Sequence, residues 1–207
     1  MNPSTEELEG AKKRVAERFA TQRPPEVLDH IPKQTVRDAA LNLARALDGD
    51  STVLSRADRL LIGYAVAVAK VGCSNGGFSA WIAEAAGASG KTADDIEAAA
   101  AVALTCATYN GYYKFRSVVA DPKPFEAFSP ALRATPFLRS SLGKTMVELI
   151  SVAVSVVNGC SSCVNGHIDA VMGAGLANPH ATIDEVVRIN AVVSALAVWD
   201  VTHQAVR

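Results

Sequence analysis

The sequence predicts an all-α protein with a duplicated helical-hairpin unit arranged about a pseudo-two-fold. Three observations predict it. The 207-residue chain is rich in alanine and only 6% aromatic, and alanine favours helices and close approach of their axes. Apolar positions recur at helical rather than strand spacing. A segment of the first half also returns in the second at a shift of 87 residues, with Cys73 falling on Cys160.

Taken in order, residues 1–33 read as a peripheral helix and linker. Glu6, Glu7 and Glu9 precede Lys12, Lys13 and Arg14, which suits the helix dipole, and Pro24, Pro25 and Pro32 punctuate the linker. Residues 34–207 form one helical domain. Val36, Ala39, Ala40, Leu43 and Leu47 make a helical stripe over 34–48, closed by Gly49. Ser55 with Asp58 opens the next helix, to about Gly72. Another spans about Ser74 to Ala86, and Thr92 with Asp95 starts a long one to about Phe115. A stretch containing Pro122, Pro124, Pro130 and Pro136 separates this half from the next. Helices are then expected over about Leu142–Val157 and Ser161–Ala174. A capping box of Thr182 and Glu185 starts the last, to about Gln204. The run Val152–Val157 has strand-like composition, but its apolar pattern continues from Met146 through about three turns, which decides for helix.

The repeat is visible letter by letter. LLIGYAVAVAKVGCSNG from Leu60 aligns with VELISVAVSVVNGCSSC from Val147, and TADDIE from Thr92 with TIDEVV from Thr182. Repeat one spans about 55–116 and repeat two about 141–205, and the two share one core.

Composition removes several function classes. Lys+Arg is 20 against Asp+Glu 21, for a net charge of -1, so no basic excess points to nucleic acid or an anionic membrane. The longest uncharged run, Leu149 to Ile168, holds Asn158, Gly159, two Cys, Asn165 and His167, which excludes a bilayer-spanning reading. The polar start MNPSTEELEGAKKR has no apolar signal core, so a cytoplasmic location is expected.

The copies differ where chemistry would sit. Cys163 is matched by Gly76, His167 by Ala80 and Glu148 by Leu61. A structural motif would more often survive in both copies, so the polar set reads as functional. Cys160 and Cys163 lie at i, i+3 at a helix start, close enough for a disulfide within one turn. The helix N-terminus stabilises a thiolate there. His167 sits one turn further along the same face. With the chain reversing near Asn158–Gly159, Glu148 and His167 both fall about 12–16 Å from the turn at 1.5 Å per residue. They are therefore level on antiparallel helices, and the carboxylate can fix the imidazole tautomer. Two blander readings stand beside this one. Cys-x-x-Cys with His offers three zinc ligands where a closed site needs four, and free cysteines also serve as core residues. Glu148 alone would read as a solvated helix position.

Glu148, eleven residues, Cys160-Ser161-Ser162-Cys163, three residues, His167 resembles the alkylhydroperoxidase D branch of the carboxymuconolactone decarboxylase-like family, over roughly residues 35–205. The resemblance implies an all-helical, oligomeric protein, a trimer or hexamer, that reduces hydroperoxides through thiols without a cofactor. It implies Cys163 as the peroxide-attacking thiol and Cys160 as proton donor, resolving partner and the thiol that exchanges with a partner's disulfide. Glu148 and His167 would be the proton relay, and an external dithiol or protein thiol the reductant. Ser162 stands where the best-known branch has a His. The alternatives are a protein-disulfide relay adaptor and a non-enzymatic redox-sensing oligomer. Asp200 and His203 at i, i+3 read as a surface pair, Tyr109, Asn110, Tyr112 and Tyr113 as a packing or interface patch, and His180 as a solvated loop residue. No Gly-rich strand–turn–helix element supports a nucleotide site.

Overall fold

The computed structural model describes residues 3–50, 53–72 and 77–204, with side chains to residue 201. It is all-helical. The helices are α1 (Thr5–Phe19), α2 (Val27–His30), α3 (Lys33–Asp48), α4 (Arg56–Val71), α5 (Gly77–Ala88), α6 (Ala93–Val118), α7 (Thr135–Arg139), α8 (Lys144–Asn158), α9 (Ser161–Met172) and α10 (Pro179–Gln204). Lengths of 16, 12 and 26 residues for α4 to α6 recur as 15, 12 and 26 for α8 to α10. None of the described helices is long and apolar enough to cross a membrane.

Helix α4 forms the centre because it is apolar on every face. Every residue from Arg59 to Val68 is buried, and the helix packs against α6, α8 and α10. Gly63 lets α3 approach closely, since a Cβ there would lie 3.0 Å from Leu47 Cδ2. Helix α8 packs against α4, α6, α9 and α10, with Val147 and Leu149 to Ser155 buried.

Several starts follow the local chemistry. The Ser55 hydroxyl caps α4 through Asp58 N at 3.1 Å, and Thr92 and Asp95 form a full capping box on α6. The last helix departs from expectation. Thr182 is not its cap but a buried residue of the first turns, donating to the Asn178 carbonyl at 2.9 Å. Asn178 caps instead, accepting from Ala181 N at 3.1 Å, and Pro179 enters where its missing N–H costs nothing. His180 therefore sits in a helical first turn, although it is exposed as expected. The proline stretch also carries structure that the prolines concealed, a 3-10 turn at Lys123–Phe125 and the short α7.

The first 33 residues, expected at the periphery, contribute to the core. Leu8, Val15, Phe19, Val27 and Leu28 are buried in the main apolar cluster. Phe19 meets Trp81 edge-on at 5.2 Å, and Trp81 Nε1 donates to Thr21 Oγ1 and the Arg23 carbonyl. The N-terminal segment thereby covers Trp81 of α5. Asp200 is another departure. It is buried rather than a surface residue, and its Oδ2 accepts from Phe78 N at 2.8 Å in the first turn of α5. The side chain of His203, and Cys73 and Gly76 of the repeat comparison, lie outside the described residues.

Glu185, expected as a capping residue, instead pairs with Arg59 at 3.2 Å across α10 and α4. Arg59 is 3% exposed and also donates to the Gly49 carbonyl at 2.6 Å. Removing one partner strands a buried charge, so Glu185→Ala should destabilise by about 3 kcal/mol. The double change Arg59→Leu, Glu185→Leu should cost less than that. Urea denaturation of the three proteins checks the order, and a silent Glu185→Ala would contradict it.

Candidate active site

The site is built on the α8–α9 hairpin. Gly159 ends α8 in the left-handed conformation, φ 65°, which glycine adopts without the steric penalty of a Cβ. The Cys160 N–H then reaches back to the Ser155 carbonyl at 3.1 Å and the Gly159 N–H to that of Val156 at 3.1 Å, a Schellman closure. The reversal places Cys160 at the N-cap of α9, Cys163 in its first turn and His167 one turn on. Cys160 and Cys163 are joined by a disulfide, Cα–Cα 5.3 Å. Their exposures differ. Cys160 is 0% exposed, while Cys163 is half-buried on a cavity wall.

Glu148, on α8, meets His167 as the hairpin arithmetic requires, with Oε2 2.7 Å from Nδ1. Against an ionised carboxylate the Nδ1–H is the donor, which leaves Nε2 as the accepting nitrogen. The side chains are 19% and 23% exposed, so the pair is largely shielded from solvent. Phe137, from α7, closes another side with its ring 6.3 Å edge-on to the imidazole. The cavity that Glu148, Cys163 and His167 share has a volume of ≈ 800 Å³. A second cavity of ≈ 360 Å³ lies against Glu148, His167 and Ser151. The Ser151 hydroxyl is fully buried and has no hydrogen-bond partner among the described residues.

The structure corrects the reading of the tyrosine patch. Tyr109, Asn110 and Tyr113 line the larger cavity rather than serving only as packing. Asn110 is fully buried and donates to Ser155 Oγ at 3.0 Å, while Asn158 Nδ2 donates to its Oδ1 at 3.1 Å. Cys106 Sγ lies 3.5 Å from Ser155 Oγ, beside Asn110 and the Ser151 carbonyl. This polar seam between α6 and α8 was not anticipated from sequence. Its signal was present, since Cys106 and Asn110 on α6 and Ser151 and Ser155 on α8 are both i, i+4 pairs within apolar runs.

A profile of the carboxymuconolactone decarboxylase family matches residues 122–206, a span that contains Glu148, both cysteines and His167. The alkyl hydroperoxide reductase AhpD of Anaeromyxobacter sp. (strain Fw109-5) is 33% identical over 177 residues, 84% of this chain and 90% of that protein. That of Anaeromyxobacter sp. (strain K) is 37% identical over 167 residues, covering 80% and 84%. The chain belongs to the AhpD-like family. A third AhpD-like relative, from Anaeromyxobacter dehalogenans (strain 2CP-C), is 40% identical over 104 residues, 50% of this chain and 54% of that protein. The all-helical fold is the one that the AhpD-like resemblance implies.

The three described cysteines should react very differently once the disulfide is reduced. Burial pushes the Cys106 thiol up, and the Glu148 carboxylate adds to this, against the hydrogen bonds to Ser155, Ser151 and Asn110. With the folded value above the unfolded one, the unfolded chain ionises first as pH rises. The stability this thiol contributes is intact below the ordinary range, about 8.5, and is lost above it. Peptide mapping after iodoacetamide treatment should find Cys163 modified first and Cys106 only on unfolding. Equal rates at Cys163 and Cys106 would contradict the arrangement.

Proposed function

We propose that the protein is a thiol-dependent hydroperoxide reductase working through Cys163, Cys160, His167 and Glu148. One observation carries the reading: the more exposed cysteine of the pair and the Glu148–His167 pair open onto the same cavity. The AhpD-like relatives named alkyl hydroperoxide reductase support the same chemistry.

In the reduced state His167, oriented by Glu148, takes the Cys163 proton, and the first turn of α9 favours the anion. The thiolate attacks the terminal peroxide oxygen. The O–O bond breaks, the alkoxide takes the proton held by His167 and leaves as the alcohol, and Cys163 becomes a sulfenic acid. Cys160 sulfur then attacks Cys163 sulfur. The hydroxyl leaves with the Cys160 proton as water, and the disulfide forms. An external dithiol or protein thiol returns the two electrons. Ser162 does not substitute for the Glu148–His167 relay, because a hydroxyl does not titrate near neutrality. The burial of Cys160 bears on the reductant: in the disulfide, an incoming thiol meets Cys163, whereas the family resemblance implied exchange at Cys160.

Val187, Val198, Trp199 and Val201 leave an exposed apolar stretch along α10, which supports assembly into a homo-oligomer, a trimer or hexamer. Light scattering at micromolar protein should give more than one subunit, with Trp199→Glu lowering the mass; a monomeric wild type would contradict this.

Stopped-flow oxidation by cumene hydroperoxide tests the chemistry. His167→Ala and Glu148→Gln should each slow Cys163 oxidation by about 10²-fold. Combined they should cost less than the product, because they act as one unit. A wild-type protein that does not react overturns the reading. Unchanged rates in both single variants would sink the relay and leave the helix terminus alone behind the thiolate.

A further inference from the structure

The larger cavity greatly exceeds what a peroxide group requires. Its ≈ 800 Å³ compares with about 30 Å³ for one water in the liquid and falls among cavities that hold drug-sized ligands, about 300–1,000 Å³. One face of α6 supplies the long wall, with Tyr109, Tyr113 and Arg116 at i, i+4 and i+7. Phe137 adds a further aromatic surface near His167.

Arg116 is the one permanent cation among the described lining residues. Its Cζ lies 5.6 Å from the Tyr113 ring centroid. Nη2 donates to the carbonyls of Phe128 at 2.6 Å and Glu126 at 3.3 Å. These bonds hold the segment between α6 and α7 against the cavity, as does the Tyr109 hydroxyl on the Leu132 carbonyl at 2.6 Å. The guanidinium is thus fixed in place while its Nε and Nη1 N–H groups make no hydrogen bond among the described residues. A fixed guanidinium with donors to spare is suited to a carboxylate.

We infer that the preferred substrate is an amphiphilic hydroperoxide that carries a carboxylate, such as a fatty-acid hydroperoxide. The peroxide group sits at Cys163, the hydrocarbon stretch lies on Tyr109, Tyr113 and Phe137, and the carboxylate is bound by Arg116. This rests on the peroxidase reading and names its substrate class. Seven residues of α6 separate Tyr109 from Arg116, about 10 Å at 1.5 Å per residue. The wall that runs from Tyr109 to Arg116 therefore accommodates a chain of several carbons. The Glu126 carboxylate on the same wall repels a multiply charged head, so a single carboxylate fits better than a phosphate monoester.

Linoleic acid hydroperoxide and its methyl ester, compared below the micelle concentration, provide the test, because they differ only at the head group. The acid should show a kcat/KM at least tenfold above the ester. Arg116→Gln should bring the acid-to-ester ratio close to one, Arg116→Lys should keep part of it, and salt should reduce it in the wild type. The ratio within each variant cancels any general loosening of the segment that Arg116 holds. A wild-type ratio of one, or a ratio that Arg116→Gln leaves intact, overturns the inference. If cumene hydroperoxide reacts while the acid shows no advantage, only this inference falls. If no hydroperoxide reacts, the peroxidase reading falls and takes it along.

Discussion

A left-handed glycine and a two-bond closure control the geometry of the candidate site. Gly159 turns the chain between α8 and α9, and the N–H groups of residues 159 and 160 fold back onto the end of α8. An L-side chain at 159 would oppose that turn through its Cβ. The reversal sets the register of two antiparallel helices, and register alone puts Glu148 opposite His167 at 2.7 Å. It also makes Cys160 the N-cap residue of α9, which buries one sulfur and leaves the other on the cavity wall. A slip of one residue would rotate the acid by about 100° on a helix of 3.6 residues per turn and separate the pair.

The two repeats diverge for a reason that packing explains. Leu61 and Glu148 align in the sequence repeat, yet Leu61 is fully buried and Glu148 lines a cavity. At Leu61 exposure is zero, and an unpaired carboxylate there would bear the full cost of burial. At Glu148 one side opens to two cavities and the other meets an imidazole. The first position therefore belongs to the core and the second to a cavity wall.

The polar seam of Cys106, Asn110, Ser155 and Asn158 lies behind this centre. It joins α6 to α8 through directional bonds within an otherwise apolar contact. Dispersion contacts tolerate sliding, whereas a buried hydrogen-bond network must keep its register or leave groups unsatisfied. The seam thereby fixes the α6 face that carries Tyr109, Tyr113 and Arg116 relative to the α8 face that carries Glu148. The α6 wall of the cavity and the Glu148–His167 pair are held in one frame.

Local chemistry in the sequence determined much of this. Helical periodicity, the Ser55 and Thr92 caps and the glycine turn are short-range features, and they set α4, α6 and the α8–α9 hairpin. Glu148, Cys160, Cys163 and His167 come together through that hairpin alone, so spacing sufficed to bring them to one place. Wherever two distant segments compete for a partner, only tertiary structure decided. Thr182 and Glu185 had the pattern of a capping box, but Arg59 of α4 took the glutamate; the cap itself went to the nearby Asn178, a local choice. Asp200 read as a surface acid until the first turn of α5 was placed against it. The N-terminal segment read as peripheral because sequence does not reveal that Trp81 needs Phe19, Thr21 and Arg23. The cavity wall of Tyr109, Tyr113 and Arg116 was equally hidden. Whether a helix face meets a core, a neighbour or an open space depends on which elements cover it, and periodicity carries no information about that.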